Sequence, residues 1–552
     1  MEWVHNYAAL NDNIILTAFV VAIPIFFLIW ALAIKRMKGH AAATIALVLA
    51  IIIVILVYKM PVSTALSAAL LGITNGLFPI GWIILAAVFL YNLTVKSGKF
   101  DIIKASISSL SEDRRIQALL IAFSFSAFLE GVSGQGAPVA IAAAMLIGLG
   151  FDPLKAAIIC LVANVPPVPF GPVGTPTIML STVTEIDVLK ITQAVGGQVT
   201  IISIIVPIFM LLVMVGWKQT MEVLPAALVT GISFAIPYFI ITKFVGPELP
   251  SIISAVISLI SLTVFLRFWK PKTIYRFEYE QEVAATIDVP VTKTPKYSGK
   301  EIVVAWSPFI ILMVVMFVWS TPGFKGFITN LKWFALVENW PGLGNVFKAA
   351  PIVAEPALYA ASYKWDFILA AGSAIMLTAI ITLFVLRIKL STAVQVLGQT
   401  ANQLKFTFVS IAAILGFAYV ANYSGLSFTL GLAFIETGEL FVIFSPIIGW
   451  LGVFLTGSVT NSAALFGKMQ QVTATYLELN PLLTVAANHT GAIMGKLISP
   501  QSIAVAAGAV GLVGKESEIF RKTIKYSLIL LGIVIIITLV QAYIFPYTLP
   551  KV

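Results

Sequence analysis

The chain has 552 residues, of which 59% are hydrophobic and only 11% charged, against roughly 25% charged in a soluble globular domain. That balance excludes a water-soluble protein and makes the net charge of +10 a guide to membrane topology rather than to nucleic acid. A single cysteine, Cys160, excludes any disulfide within the chain.

The opening stretch "MEWVHNYAALNDN" lacks the basic and apolar regions of a secretory signal, so no segment is expected to be removed. Apolar runs near the 20 residues that a hydrocarbon core about 30 Å thick requires predict spans at 14–34, 42–58, 65–95, 155–182, 194–216, 222–242, 249–268, 302–320, 365–386, 403–423, 482–512 and 524–546. Twelve crossings put both termini on one face. Placing that face outside leaves most basic residues, among them Lys35, Arg36, Lys38, Arg114, Arg115, Arg387 and Arg521, on the cytoplasmic side. Residues 269–301 are then a charged cytoplasmic loop and 321–364 an aromatic-rich external one.

Two stretches resist this count. Residues 116–150 are apolar but interrupted by "FLEGVSGQGAPVA" at 128–140, and the limb 116–130 would make a helix only about 22 Å long, too short to cross. A re-entrant hairpin entering from the cytoplasm is predicted for 116–150. A second, entering from outside, is predicted for 440–478, where "LFVIFSPIIGWLGVFL" leads into "TGSVTNSAALFG". The two stretches correspond: "FLEG" at 128 answers "FLTG" at 454, "DPL" at 152 "NPL" at 480, "AN" at 163 "AN" at 487, "TP" at 175 "SP" at 499, and "SG" at 97 "SG" at 424. An odd number of spans between them reverses the second copy. The predicted fold is therefore an all-α polytopic membrane protein of about 12 transmembrane helices and two re-entrant hairpins, an inverted repeat of halves 1–268 and 302–552. Inverted repeats with interrupted helices are the architecture of secondary transporters, with the substrate site near the midplane.

The span after each hairpin is itself broken. In "LVANVPPVPFGPVGTPTIML", five prolines between 166 and 176 remove five donors, which no continuous helix tolerates; "VAANHTGAIMGKLISPQSIAVA" is its counterpart. Half-helices that start at such breaks turn free N–H groups and positive dipole ends toward a cavity, which suits an anion. The candidate substrate ligands are Ser133, Gly134, Gln135 and Gly136 at the first tip, Asn164, Thr175 and Thr177 at the first break, Ser458, Thr460 and Asn461 at the second tip, and Asn488, Thr490 and Ser499 at the second break.

Glu130 is the one acidic residue inside the first hairpin, and a charged carboxylate at bilayer depth costs about 2.5–3.5 kcal/mol on insertion scales. Anion entry against 100 mV costs about 2.3 kcal/mol and needs a compensating cation. Glu130 and His489 are therefore the candidate proton carriers, each with a structural alternative: a helix cap or ion pair for Glu130, a simple hydrogen-bonded site for His489. Lys468 and Lys496 are candidate charge partners of the substrate, with snorkelling to an interface as the plainer reading. Neither metal ligation nor a cofactor is expected. Three histidines, only His489 deep in the membrane, and one cysteine argue against a membrane-embedded enzyme.

The block "SAFLEGVSGQGAPVAIAAAMLIGLGFDPLKAAIICLVANVPPVPFGPVGTP" at 126–176 closely resembles the signature region of the bacterial L-lactate permease family, and "PIFFLIWALAIKRMKGHAA" at 24–42 and the chain length extend the resemblance over the whole sequence. It implies uptake of a small 2-hydroxymonocarboxylate, L-lactate and commonly D-lactate and glycolate, by proton symport across the bacterial inner membrane, on a fold like that of the ion-transporter superfamily. It assigns no individual residue. Sodium coupling stays open from the residues, because tips rich in Gly, Ser, Thr and Asn also build sodium sites; a passive anion channel is the third alternative, and it would not accumulate its substrate. Oligomeric state is not legible in the sequence.

Overall fold

A computed structural model describes residues 2–31, 35, 37–134, 136–277, 297–331, 335–353, 355–512 and 515–550. Among these, ten helices are long and apolar enough to cross a membrane. Gly39–Val57, Val62–Lys96, Val188–Val215, Leu224–Phe244, Pro250–Phe268, Gly299–Trp319, Leu390–Tyr423 and Glu516–Tyr543 fall where spans are predicted. The predicted spans 14–34 and 365–386 appear as the shorter helices Ile14–Leu28 and Ala371–Val385. Those at 155–182 and 482–512 are interrupted, as Pro153–Ala163 with Thr175–Thr184 and Pro481–Lys496 with Pro500–Ala509.

The first hairpin runs up Arg114–Val132, turns at 133–136 and returns along Ala137–Gly148, its limbs packed together. Its first limb is longer than the sequence suggests, about 28 Å for 19 residues. The reason is Arg115, which charge alone would place outside. Its fully buried guanidinium binds Asp113 Oδ2 at 2.7 Å, Glu222 Oε2 at 2.8 Å and the carbonyls of Gln219 and Thr273, while Asp113 also caps the Arg115 amide. With its donors engaged, an arginine can open a buried helix. The limb lies antiparallel to Pro250–Phe268: Ser124 Oγ meets Ser258 Oγ at 3.0 Å, and Gly131 abuts Ser251 and Ile252.

The second hairpin consists of Phe441–Thr456 and Val459–Tyr476, joined through Gly457 at φ +70° and Ser458. Its first limb packs along Pro481–Lys496 so closely that a Cβ on Gly449, Gly491 or Gly495 would overlap the carbonyl of Asn488, Pro446 or Trp450. Gly491 and Gly495 stand one turn apart, the small-residue spacing that lets helices approach in the absence of a hydrophobic driving force.

The same order of elements occurs twice. Ser97-Gly98 and Ser424-Gly425 each close a long helix on a left-handed glycine. A hairpin follows. Asp152 and Asn480 then cap helices that begin at Pro153 and Pro481, and after each break Thr175-Pro176 and Ser499-Pro500 open the next half-helix. Four of the five pairs of matching short motifs thus occupy corresponding places; the fifth does not, since Asn164 ends its helix whereas Asn488 lies within Pro481–Lys496. The copies interleave: Leu390–Tyr423 packs on Gly39–Val57 and Val62–Asn75, while Pro153–Ala163 and Thr175–Thr184 pack among the hairpins and the helices of 188–268.

The fold is not wholly α-helical. Trp3–Val4 pairs in parallel with Val346–Lys348, which is antiparallel to Ala357–Leu358, and Ala335–Val337 pairs with Tyr363–Trp365. These strands of two or three residues are too short for periodicity to reveal. His5, next to the first strand, is buried against the Tyr423 carbonyl at 2.9 Å and the Tyr7 hydroxyl at 3.1 Å.

Two outcomes are expected. Gly491→Ala costs about 1–3 kcal/mol through overpacking and lowers Tm in detergent, whereas Gly532→Ala, with open space around the glycine, does not; equal Tm values would refute the close helix contact. Burial lowers the His5 pKa from 6.5 to about 4, against the opposing hydrogen bond to Tyr423. Because the folded pKa lies below the unfolded one, docking of the N-terminal strand is at full strength above about pH 6.5 and weakens as pH falls toward 4. Hydrogen exchange at Trp3–His5, corrected for the intrinsic rate, should be faster at the acid end, and a flat profile would contradict this.

Candidate functional site

Five prolines keep the first break out of the α-helical ladder, and the carbonyls of four of them accept a side-chain hydroxyl. Tyr238 donates to Pro166 O at 2.9 Å, Ser251 to Pro167 O at 2.7 Å, Thr177 to Pro169 O at 2.8 Å and Thr175 to Pro172 O at 2.6 Å. Thr175 and Thr177, expected as substrate ligands, thus commit their hydroxyl protons to the break. The Val173 amide donates to Gly131 O at 2.8 Å, tying the break to the first hairpin. Gly171 presses on Glu130: a Cβ there would stand 2.7 Å from Glu130 O and 3.0 Å from its Cγ.

Glu130 faces Lys496 across the two halves. Its Oε1 lies 2.7 Å from Lys496 Nζ, and its Oε2 accepts from Asn164 Nδ2 at 3.0 Å. The carboxylate is 3% exposed and the lysine side chain 15%. In this burial a bare charge on either would be costly, and the pair with its amide donor offsets part of that cost.

Glu130 and Lys496 line a cavity of about 950 Å³ with Gly136 of the first tip, Gly457 to Asn461 of the second, Thr175 of the first break and Ile498, Pro500, Gln501 and Ser502 of the second. This volume suits a small-molecule site, and the cavity extends toward Lys38, His40 and Glu516. The half-helices Ala137–Gly148, Thr175–Thr184, Val459–Tyr476 and Pro500–Ala509 all start at its wall, so positive dipole ends converge there. Gly136 and Gly457, at φ +84° and +70°, supply the left-handed turns from which two of them start.

Several expected ligands lie elsewhere. The Ser133 hydroxyl donates back to Leu129 O at 3.0 Å, and Gly134 packs on Pro172; Gln135 lies outside the described residues. The second break is shorter than expected. Pro481–Lys496 is continuous and only Leu497–Ser499 interrupts it, because no proline occurs between 481 and 500 to open the ladder. Asn488, His489 and Thr490 are therefore buried on a regular helix. Asn488 Oδ1 accepts from Gln470 at 3.3 Å, Thr490 donates to Gln198 Oε1 at 2.7 Å, and His489 Nε2 lies 3.4 Å from Thr177 Oγ1. Ser499 caps Pro500–Ala509 and bonds Ser502 at 2.9 Å. Lys468 sits at the far end of Thr175–Thr184, 3.3 Å from both Glu185 Oε2 and Thr184 O, so of the two lysines only Lys496 joins Glu130. Gln501 and Ser502 line the cavity unforeseen; they follow "SP" within one turn of the half-helix, the signal that singles out Ser499. Among the described residues no cluster of His, Cys, Asp and Glu could hold a metal ion.

The sequence model of one family, described as L-lactate permease, matches residues 17–545. The L-lactate permease of Bacillus subtilis (strain 168) is 47% identical, with 100% of both chains covered. The glycolate permease GlcA of Escherichia coli (strain K12) is 48% identical, with 99% of both covered, and the L-lactate permease of the same strain is 44% identical over 99% of this chain and 100% of its own. Among solved structures, the Alcanivorax borkumensis YdaH transporter covers 85% of this chain and 86% of its own at 14% identity and a TM-score of 0.46, a likeness too distant to argue from.

Gly171→Ala forces Glu130 to shift and is expected to cost about 1–3 kcal/mol, read as a lower Tm in detergent. Gly148→Ala, where nothing lies within 4 Å, leaves Tm in place. A Gly171→Ala protein as stable as wild type would show that this approach is loose.

Proposed function

The chain belongs to the L-lactate permease family, and we propose that it is a secondary transporter that takes up L-lactate, with D-lactate and glycolate as further substrates, by proton symport across the bacterial cytoplasmic membrane. Relatives named for lactate and for glycolate support a small 2-hydroxymonocarboxylate as substrate. The observation that carries the site is the buried Glu130–Lys496 pair on the wall of a cavity into which both hairpin tips and both breaks reach. Thr460, Asn461, Gln501 and Ser502 offer neutral donors and acceptors there, suited to a carboxylate with a neighbouring hydroxyl. The reading includes twelve crossings with both termini outside and an inverted repeat, supported by the doubled element order and the distribution of basic residues.

Glu130 is the proton carrier in this reading. A proton moving with each anion cancels the cost of about 2.3 kcal/mol per charge per 100 mV that a negative-inside membrane imposes on an anion alone. His489, held at Thr177 and remote from the ion pair's bonds, supports the first break instead. Reconstituted protein in sodium-free proteoliposomes with a pH step of about one unit, acid outside, should concentrate lactate up to about tenfold. Uptake that waits for sodium would replace the proton by that cation, and equilibration without accumulation would make the protein a channel.

A further inference from the structure

Resting on the symport reading, we propose that Lys496 is the ligand of the substrate carboxylate as well as the counter-ion of Glu130, and that the two carboxylates take it in turn. Lys496 lines the cavity, and among the described residues its Nζ has Glu130 as its one bonded partner at 2.7 Å. An ammonium has three donors to offer, but two carboxylates beside one buried ammonium leave an uncompensated negative charge, which raises the proton affinity of one of them. An incoming anion therefore displaces Glu130 from Lys496 once Glu130 has taken a proton from the same side as the substrate. The neutral carboxyl keeps Asn164 as its donor.

Charge bookkeeping gives this exchange its coupling. The empty site holds Glu130 as anion and Lys496 as cation, net zero; the loaded site holds neutral Glu130, cationic Lys496 and the substrate anion, again net zero. Both forms can reorient without carrying charge through the membrane field. A site with a proton but no anion is positive, and one with an anion but no proton is negative, so each is disfavoured in a low-dielectric interior. One proton per carboxylate follows from one ion pair.

Other titratable groups on the surrounding elements do not take part in this pair. Arg114 and Arg115 sit at the base of Glu130's own limb; Arg267, Lys155 and Cys160, Tyr91 and Lys96, and Lys300 and Glu301 belong to the helices packed on it; His489 lies on the lysine's helix, and Lys38, His40 and Glu516 line the wider part of the cavity. Among the described residues only Lys496 forms an ion pair with Glu130.

The test compares lactate exchange in proteoliposomes by wild type, Glu130→Gln and the double variant Glu130→Gln/Lys496→Gln. Wild-type apparent affinity should fall by up to about tenfold per pH unit on the alkaline side, and Glu130→Gln should flatten that profile and abolish accumulation. The double variant removes both charges, so no lone charge is left buried. It should exchange at least about 100-fold more slowly than Glu130→Gln, as expected for the loss of a close charge partner. If Lys496 serves only to neutralise Glu130, the double variant exchanges as well as Glu130→Gln, and the proposal falls. A second measurement needs no lysine variant: in Glu130→Gln, lactate but not lactamide should protect Lys496 from an amine-acylating reagent, read by mass spectrometry, and equal labelling with both overturns the proposal too. Wild-type uptake driven by sodium and indifferent to pH would instead overturn the symport reading, with the double variant and the labelling still judging Lys496.

Discussion

Between 166 and 176 five prolines withhold their amide protons, and the polar backbone of the break they make has to be satisfied by the protein itself. Tyr238, Ser251, Thr177 and Thr175 donate hydroxyls to the carbonyls of four of these prolines. Those hydroxyls come from two neighbouring helices and from the half-helix that follows, so the break is braced from several sides rather than left slack. The Val173 amide and the bare Cα of Gly171 then press on Gly131 and Glu130. A segment that cannot continue an α-helix thereby becomes the surface that sets the position of a buried carboxylate.

The second half reaches the same cavity by another route. Its span has no proline between its ends, stays helical through Lys496 and opens for only three residues. Glycines at 449, 491 and 495 bring this helix against its own hairpin at backbone distance. Each half thus contributes one charge, one tip and one break to the cavity, but the first is a braced series of turns around the 3-10 turn Val168–Phe170 and the second a near-continuous helix. The two side chains are of opposite charge type, and they meet at 2.7 Å.

Much of this was legible in the sequence. Hydropathy indicates eight of the long helices, and glycines stand at both turns, Gly134 and Gly136 in the first and Gly457 in the second, because few other residues adopt the left-handed backbone found there. The proline cluster named the first break outright. The second begins later than the polar run Asn488–Thr490 suggests, because on a helix buried within protein such side chains are met by Gln470 and Gln198 from other elements. Pairings across long separations were not legible at all: Glu130 and Lys496 are 366 residues apart, and nothing local distinguishes Lys496, which meets a carboxylate at the cavity, from Lys468, which meets Glu185 at the other end of a half-helix. The strands between 335 and 365 escaped for the opposite reason, being shorter than any period.

Trp3 and Val4 take their strand partners from Val346 and Phe347, and His5 takes its carbonyl from Tyr423. During synthesis these residues have left the ribosome long before their partners are made. At the 5–20 residues per second at which chains are typically built, the first segment of this protein spends tens of seconds without the edge it will occupy, and the end that is made first is among the last to be fastened.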